Sequence, residues 1–137
     1  MDDAQLVGRA RALFGARRAA LFRLERASGT LTCVASDSES GSVGWVGQTL
    51  PAGVGMAGRA VAERRPVWTP DLLADPRVPV AAWLRERMEV EGLRAVAAAP
   101  VVSGQEVLGA LGILDAAGRR FAPDELARLG QVAAGAD

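Results

Sequence analysis

Three glycines stand at a spacing that phosphate-binding turns use. Gly53, Gly55 and Gly58 form a G-x-G-x-x-G series, and Asp71 follows where an acidic residue could hold a ribose hydroxyl. In a dinucleotide-binding fold such glycines let the backbone approach a pyrophosphate at a helix N-terminus. That site needs a buried strand running straight into the first glycine, and here Pro51 interrupts the strand. The context therefore favours a tight structural turn, with dinucleotide binding as the alternative.

The residue types missing from the chain exclude several chemistries. The 137-residue sequence has no histidine, lysine, tyrosine or asparagine, and its one cysteine is Cys33. A histidine triad, a histidine-ligated haem or zinc, a Schiff-base lysine and an internal disulfide are therefore impossible within it. We expect Cys33 to behave as a small buried hydrophobe. Without a nucleophile and a paired base, the sequence indicates a protein that is not an enzyme.

The charge and the hydropathy of the chain limit the kinds of partner that it can have. The 16 basic residues are all arginine, they balance 16 acidic residues, and they are scattered along the chain, which argues against nucleic-acid binding. Arginine pairs at 17–18, 64–65 and 119–120 are interpreted as solvated ends of elements. No apolar run approaches the ~18 residues of a membrane span, and the start lacks a signal-peptide core. We expect a cytoplasmic protein without membrane contact.

The first half of the chain predicts a helix and three strands. Apolar residues recur at helical spacing over 3–14, with Asp2 or Asp3 as its cap and Gly15 at its end. Residues 17–25 and 30–36 predict an antiparallel hairpin. A polar loop over 37–44 and a third strand over 45–50 follow.

The middle of the chain predicts two helices and a short strand. The pattern indicates a helix over 55–64, a strand over 66–69 and a helix over 80–91. Thr69 and Pro70 have the form of an N-cap and a first helical position.

The last third predicts a hairpin and a final helix. Residues 94–102 and 106–114 flank a Ser-Gly turn, and a helix begins at Pro123. Both faces of the hairpin are apolar or small, which is typical of a sheet covered on both sides. We predict one α+β domain over 1–137 with a mostly antiparallel sheet.

Three segments in order carry a family resemblance. They are LPAGVGMAGRAVAERRPVWTPDLLADPRV at 50–78, GLRAVAAAPVVSGQEVLGALGILDA at 92–116 and RRFAPDELARL at 119–129. This succession resembles that of a GAF domain and spans about residues 5–135. The resemblance implies a central antiparallel sheet of about five to six strands. It also implies terminal helices on one face, and loops, short helices and a small-molecule pocket on the other.

The resemblance also implies a role. GAF domains commonly sit in bacterial signal-transduction proteins, as sensory or regulatory modules that dimerise through their terminal helices, here 3–14 and 123–135. The expected partners are a second copy, an unidentified small molecule and an output domain such as a histidine kinase or cyclase. Since no output domain is present, we expect an excised input domain. A purely structural dimerisation module without ligand is the alternative.

The same resemblance implies that the chain binds no cofactor. The cyclic-nucleotide branch carries an Asn-Lys…Phe…Asp-Glu signature, of which only Phe121, Asp124 and Glu125 are present. Bilin-binding relatives usually pair their cysteine with histidine, haem-binding relatives use an axial histidine, and the free methionine sulfoxide reductases use several cysteines. We therefore expect no haem, bilin or metal.

A pocket, if present, has candidate lining residues. Two tryptophans and a methionine offer apolar area, an acid and a base offer polar anchors, and small alanines leave room for a ligand or let a helix pack closely. The candidates are Trp68, Asp71, Trp83, Met88, Arg94, Ala97 and Ala99. Ordinary core packing is the alternative role for each.

Overall fold

A computed structural model describes residues 1–41 and 43–136. Over these residues the elements are α1 (Asp3–Phe14), β1 (Arg18–Leu24), β2 (Leu31–Ser38), β3 (Thr49–Leu50), α2 (Gly55–Glu63), β4 (Val67–Thr69), a 3-10 turn (Leu72–Ala74), α3 (Ala82–Glu91), β5 (Ala95–Ser103), β6 (Glu106–Asp115) and α4 (Pro123–Ala134). The strands form one antiparallel sheet in the order β3-β2-β1-β6-β5-β4. The predicted α+β class and strand number are confirmed. None of the described helices has the length and apolarity to cross a bilayer.

The sheet separates two apolar cores. One face, which we call the helix face, packs against α1 and α4, with Ala95, Ala97 and Ala99 of β5 pointing toward them. The other, which we call the pocket face, lies under α2, the 3-10 turn and α3, with Val96 and Ala98 of β5 pointing toward them. Successive side chains of a strand alternate between faces, so one strand serves both cores. The predicted placement of terminal helices on one face and short elements on the other is confirmed.

The ends of α1 lie where local chemistry predicts. The Asp2 side chain accepts a hydrogen bond from the Gln5 N–H at 2.7 Å, and the Gln5 side chain accepts one from the Asp2 N–H at 3.0 Å. This reciprocal pair satisfies two N–H groups that lack helical partners. At the other end Gly15 takes a left-handed conformation, with φ of 58°.

Three local predictions were wrong. The strand predicted over 45–50 is reduced to β3, because Gly47 has a φ of 92° and the Gln48 N–H turns back to the Trp45 carbonyl oxygen at 3.1 Å. The predicted loop over 37–44 begins later, since β2 continues through Ser38. Asp71 rather than Thr69 caps the 3-10 turn. Residue 42 of that loop and residue 137 lie outside the described residues.

The glycine series forms a tight turn into α2. Gly53 and Gly55 have φ values of 76° and 75°, which favour glycine. A Cβ on Gly58 would lie 2.9 Å from the Gly53 carbonyl carbon, so the turn packs directly on the helix. The strand before it, β3, has two residues and lies at the sheet edge. The dinucleotide alternative therefore lacks the buried strand that it needs.

The close packing of β6 against β1 gives a test of the fold. A Cβ on Gly109 would lie nearer than 3.0 Å to the Phe22 carbonyl oxygen, whereas one on Gly112 of the same strand would make ordinary contacts at 3.7 and 3.9 Å. We expect Gly109→Ala to lower the free energy of unfolding by about 2 kcal/mol or more, because the backbone must shift. Gly112→Ala should stay within about 1 kcal/mol of wild type. Urea denaturation of both variants checks this, and equal effects would contradict it.

Candidate functional site

The centre of the pocket face contains a small cavity. Its volume is about 20 Å³, and all of the described residues that line it are apolar. A void of that size holds about one water molecule, and a water there would find no polar partners. The residues around it are Phe22, Trp45, Leu50, Met56, Ala57, Leu72, Leu84, Val96, Ala98, Gly112 and Leu114. The pocket face is therefore almost completely filled.

Trp45 supplies the largest side chain in this filling. It is 1% exposed, although its neighbours Val43 and Val46 are 82% and 63% exposed. Its indole Nε1 donates a hydrogen bond to Glu91 Oε2 at 2.8 Å. The ring packs edge-on against Trp83, with centroids 5.4 Å apart and planes at 89°. A loop residue thus occupies the interior of the domain.

A buried ion pair lies against the same indole. Arg18 is 1% exposed, and its Nε donates to Glu91 Oε1 at 2.8 Å while its Nη1 donates to Ser36 Oγ at 2.5 Å. Its guanidinium carbon lies 4.6 Å from the centroid of the Trp45 ring, within cation–π range. Glu91 is the last residue of α3, where the helix dipole disfavours a negative charge, so Arg18 offsets that effect.

Two predicted site residues lie on the pocket face. Met88 is completely buried in its core, and Trp83 packs against that core. The Trp83 Nε1 donates to the Thr49 carbonyl oxygen at 2.7 Å. Trp83 therefore joins α3 to the edge strand and presents its ring to Trp45.

Three other predicted site residues lie across the sheet. Ala97 and Ala99 belong to the core beneath the terminal helices, and Trp68 packs against it. The centroids of the Trp68 and Phe121 rings lie 6.0 Å apart. The Arg120 guanidinium carbon lies 5.3 Å from the centroid of the Trp68 ring.

The two predicted polar anchors bond to backbone groups. Asp71 Oδ1 accepts from the Leu73 N–H at 3.1 Å, and Arg94 Nη1 donates to the Leu93 carbonyl oxygen at 2.8 Å. Both are partly buried. The seven predicted site residues therefore do not line one cavity.

Sequence reasoning missed Trp45, Arg18 and Glu91. The interpretation of residues 17–18 as a solvated end was wrong for Arg18, which is buried. The available signal was Trp45 itself, because a tryptophan between Gly44 and Gly47 in a polar segment has few places to bury its ring except the core.

Cys33 lies in the pocket-face core and is 1% exposed, as expected of a small hydrophobe. Burial raises the pKa of its thiol from 9.0 to about 11, against the charge of Arg18, which acts to lower it. The described residues contain no group of three or more acidic, cysteine or histidine side chains that could hold a metal ion.

A family model described as GAF domain matches residues 4–136. The GAF domain of a phosphoenolpyruvate-protein phosphotransferase from Coxiella burnetii is 22% identical with a TM-score of 0.79, over 96% of this chain and 76% of that one. The blue-light absorbing form of the Thermosynechococcus elongatus PixJ GAF domain is 19% identical with a TM-score of 0.74, over 96% and 78%.

An enzyme is among the similar structures. Free methionine-R-sulfoxide reductase from Neisseria meningitidis, solved with its substrate, is 19% identical with a TM-score of 0.74, over 95% of this chain and 70% of that one. At such identities these structures show the shared fold. A comparison with curated proteins gave no match.

The buried ion pair gives a stability prediction. Glu91→Gln keeps the size of the side chain but removes the carboxylate charge that pairs with the buried Arg18 guanidinium, so we expect a loss of about 3 kcal/mol in the free energy of unfolding. The control is Glu89→Gln, an exposed position on the same helix, which should change stability by less than about 0.5 kcal/mol. Chemical denaturation of both proteins measures the difference, and similar small losses would show that the pair is dispensable.

Cys33 gives a pH prediction. The folded thiol has a raised pKa, so its contribution to stability is complete below pH 9 and is lost as pH rises toward 11. No other side chain titrates in this window, because the chain lacks lysine, tyrosine and histidine and arginine titrates higher. We expect the free energy of unfolding to fall by about 2 to 3 kcal/mol across it. Denaturation at each pH should show this slope in wild type and a flat profile in Cys33→Ala. A slope that persists in the variant would exclude the thiol as its cause.

Proposed function

This chain belongs to the GAF family, which confirms the resemblance of its three segments, and we propose that it is a non-enzymatic sensory or regulatory module of a signal-transduction protein. One observation carries the proposal. The sheet has a closed, apolar pocket face on one side and the first and last helices, α1 and α4, on the other. A change of packing on the pocket face can therefore bias the helices through strands that serve both cores.

The proposed input is a small molecule bound on the pocket face. The alternative is a purely structural dimerisation module, and the cavity of about 20 Å³ favours it because no organic ligand fits such a space. Native mass spectrometry of the purified protein distinguishes the two. A discrete extra mass on the subunit supports a sensor, whereas a bare protein that no small molecule stabilises supports the structural module.

Several features support a role without catalysis. The chain has no histidine or lysine to act as a base, and its one thiol is buried with a raised pKa, which disfavours the reactive thiolate. The carboxylate of Asp71 is engaged in capping the 3-10 turn. We accordingly propose that it uses no haem, bilin or metal. A net charge of zero supports the absence of a nucleic-acid partner.

The proposed partner at the helix face is a second copy of the chain. A groove of about 470 Å³ runs between α1 and α4, and Leu13 within it is 43% exposed. The described residues along it are Met1, Leu6, Arg9, Leu13, Arg128, Gln131, Val132 and Gly135. Dimerisation there would place the helices of two subunits side by side, where they could act on an output domain such as a histidine kinase or cyclase.

Leu13 tests the dimer. Leu13→Arg removes apolar area from the groove and adds a charge near Arg9 and Arg128, so we expect the dimer dissociation constant to rise at least about tenfold. Val90→Arg is the matched control, because Val90 is 74% exposed on α3 at the other face. Sedimentation equilibrium measures both constants. A monomeric wild type, or equal effects of the two substitutions, would contradict dimerisation through α1 and α4.

A further inference from the structure

Residues 43–47, which we call the strap, place one side chain in the interior of the domain. Trp45 is the only buried residue of these five. The strap contains Gly44 with a φ of 103° and ends at Gly47 with a φ of 92°, both in the left-handed region. The Gly47 N–H donates to the Cys33 carbonyl oxygen at 2.8 Å, so the end of the strap is tied to β2.

The groups around the indole have attachments of their own. Arg18 donates hydrogen bonds to Ser36 and to Glu91, and the Trp83 Nε1 donates one to the Thr49 carbonyl oxygen. Since these hydrogen bonds do not involve Trp45, we expect the surroundings of the indole to stay assembled when it leaves. They consist of a carboxylate acceptor, a cation above the ring and an aromatic edge, all preorganised in an apolar interior.

The vacated space is large enough for a ligand. Trp45 already borders the cavity of about 20 Å³, so its departure would join that cavity to the volume of an indole. A buried cavity of about 150 Å³ left by removal of a leucine side chain is enough to bind benzene. An indole is larger than a leucine side chain, so the vacated site would accept a ring of that class.

We propose that Trp45 is a built-in occupant of the ligand site and that the strap opens to admit a planar heteroaromatic molecule with an N–H donor. The ligand takes the place of the indole, donating to Glu91 Oε2 beneath the Arg18 guanidinium. The strap competes with the ligand, so the apparent affinity equals the affinity of the open form multiplied by the fraction of molecules that are open. This inference rests on the proposed sensory role of the pocket face and names its ligand class and its gate.

The gate is tested with Trp45 in place and indole as the probe. Gly47→Ala strains the closed strap, because alanine disfavours a φ of 92°, and nothing lies within 4 Å of its Cβ to add a clash. We expect indole to bind this variant at least about fivefold more tightly than wild type in isothermal titration. Gly118→Ala is the matched control, since Gly118 has the same φ and equally open surroundings but lies between β6 and α4. Equal indole affinities for the two variants would overturn the gate.

The ligand class is tested by vacating the site. Trp45→Ala should bind indole at least about tenfold more tightly than wild type, and 1-methylindole, which lacks the donor, at least about tenfold more weakly than indole. Equal binding of the two probes would overturn the role of Glu91. If Trp45→Ala does not fold, the comparison of Gly47→Ala with Gly118→Ala still tests the proposal.

Hydrogen exchange of the Gly47 amide in wild type is a second test of strap opening. Saturating indole should accelerate it, because the open strap loses the bond to Cys33, and unchanged exchange would overturn the proposal. The oligomeric state of the same samples reports on the proposed function separately. A stable dimer that binds no indole leaves the regulatory role standing and rejects the strap.

Discussion

The ion pair between Arg18 and Glu91 is the interaction on which the pocket face depends. It joins the start of β1 to the end of α3, two points that lie 73 residues apart in the chain. Both charges are largely removed from water, with side chains 1% and 10% exposed, so each charge stabilises the other. Glu91 uses its second oxygen to hold Trp45. One carboxylate therefore links the end of α3 both to β1 and to Trp45.

The central strands of the sheet carry small residues on both faces. Ala20, Ala98 and Ala110 face the pocket core, and Ala19 and Ala97 face the helix core. Small side chains bring the covering elements close to the sheet and leave little free volume. Trp45, which comes from a loop outside the sheet, supplies the largest side chain at the centre of the pocket face.

The sequence predicted most of the fold because the signals for its elements are local. Glycines at positions 15 and 92 end α1 and α3, and the turn at residues 104–105 joins two apolar strands. The candidate site was harder to predict, since a strand that is apolar on both faces carries no signal for which residue faces which core. Trp68 and Ala97 pair across β4 and β5 and share the helix face.

The buried cluster could not be predicted for a different reason. The burial of Arg18 depends on Glu91, which is distant in sequence, and on Ser36 of the neighbouring strand. A charged side chain at the start of a strand has the same local pattern whether it meets water or a partner. Only the tertiary arrangement distinguishes the two environments.

Adjacent residues of β2 link the two sides of the sheet in the way that the proposed sensory role requires. Ser36 accepts a hydrogen bond from Arg18, and Asp37 accepts one from the Nε of Arg11 in α1 at 2.6 Å. A shift of β2 that loosens the cluster around Trp45 would therefore also act on the ion pair between β2 and α1. Such a path transmits a signal only if β2 has two discrete positions that the ligand and the helix each favour differently. The strap would supply that bistability, because its end is bonded to β2 at Cys33 and its one buried side chain is either inside the core or outside it.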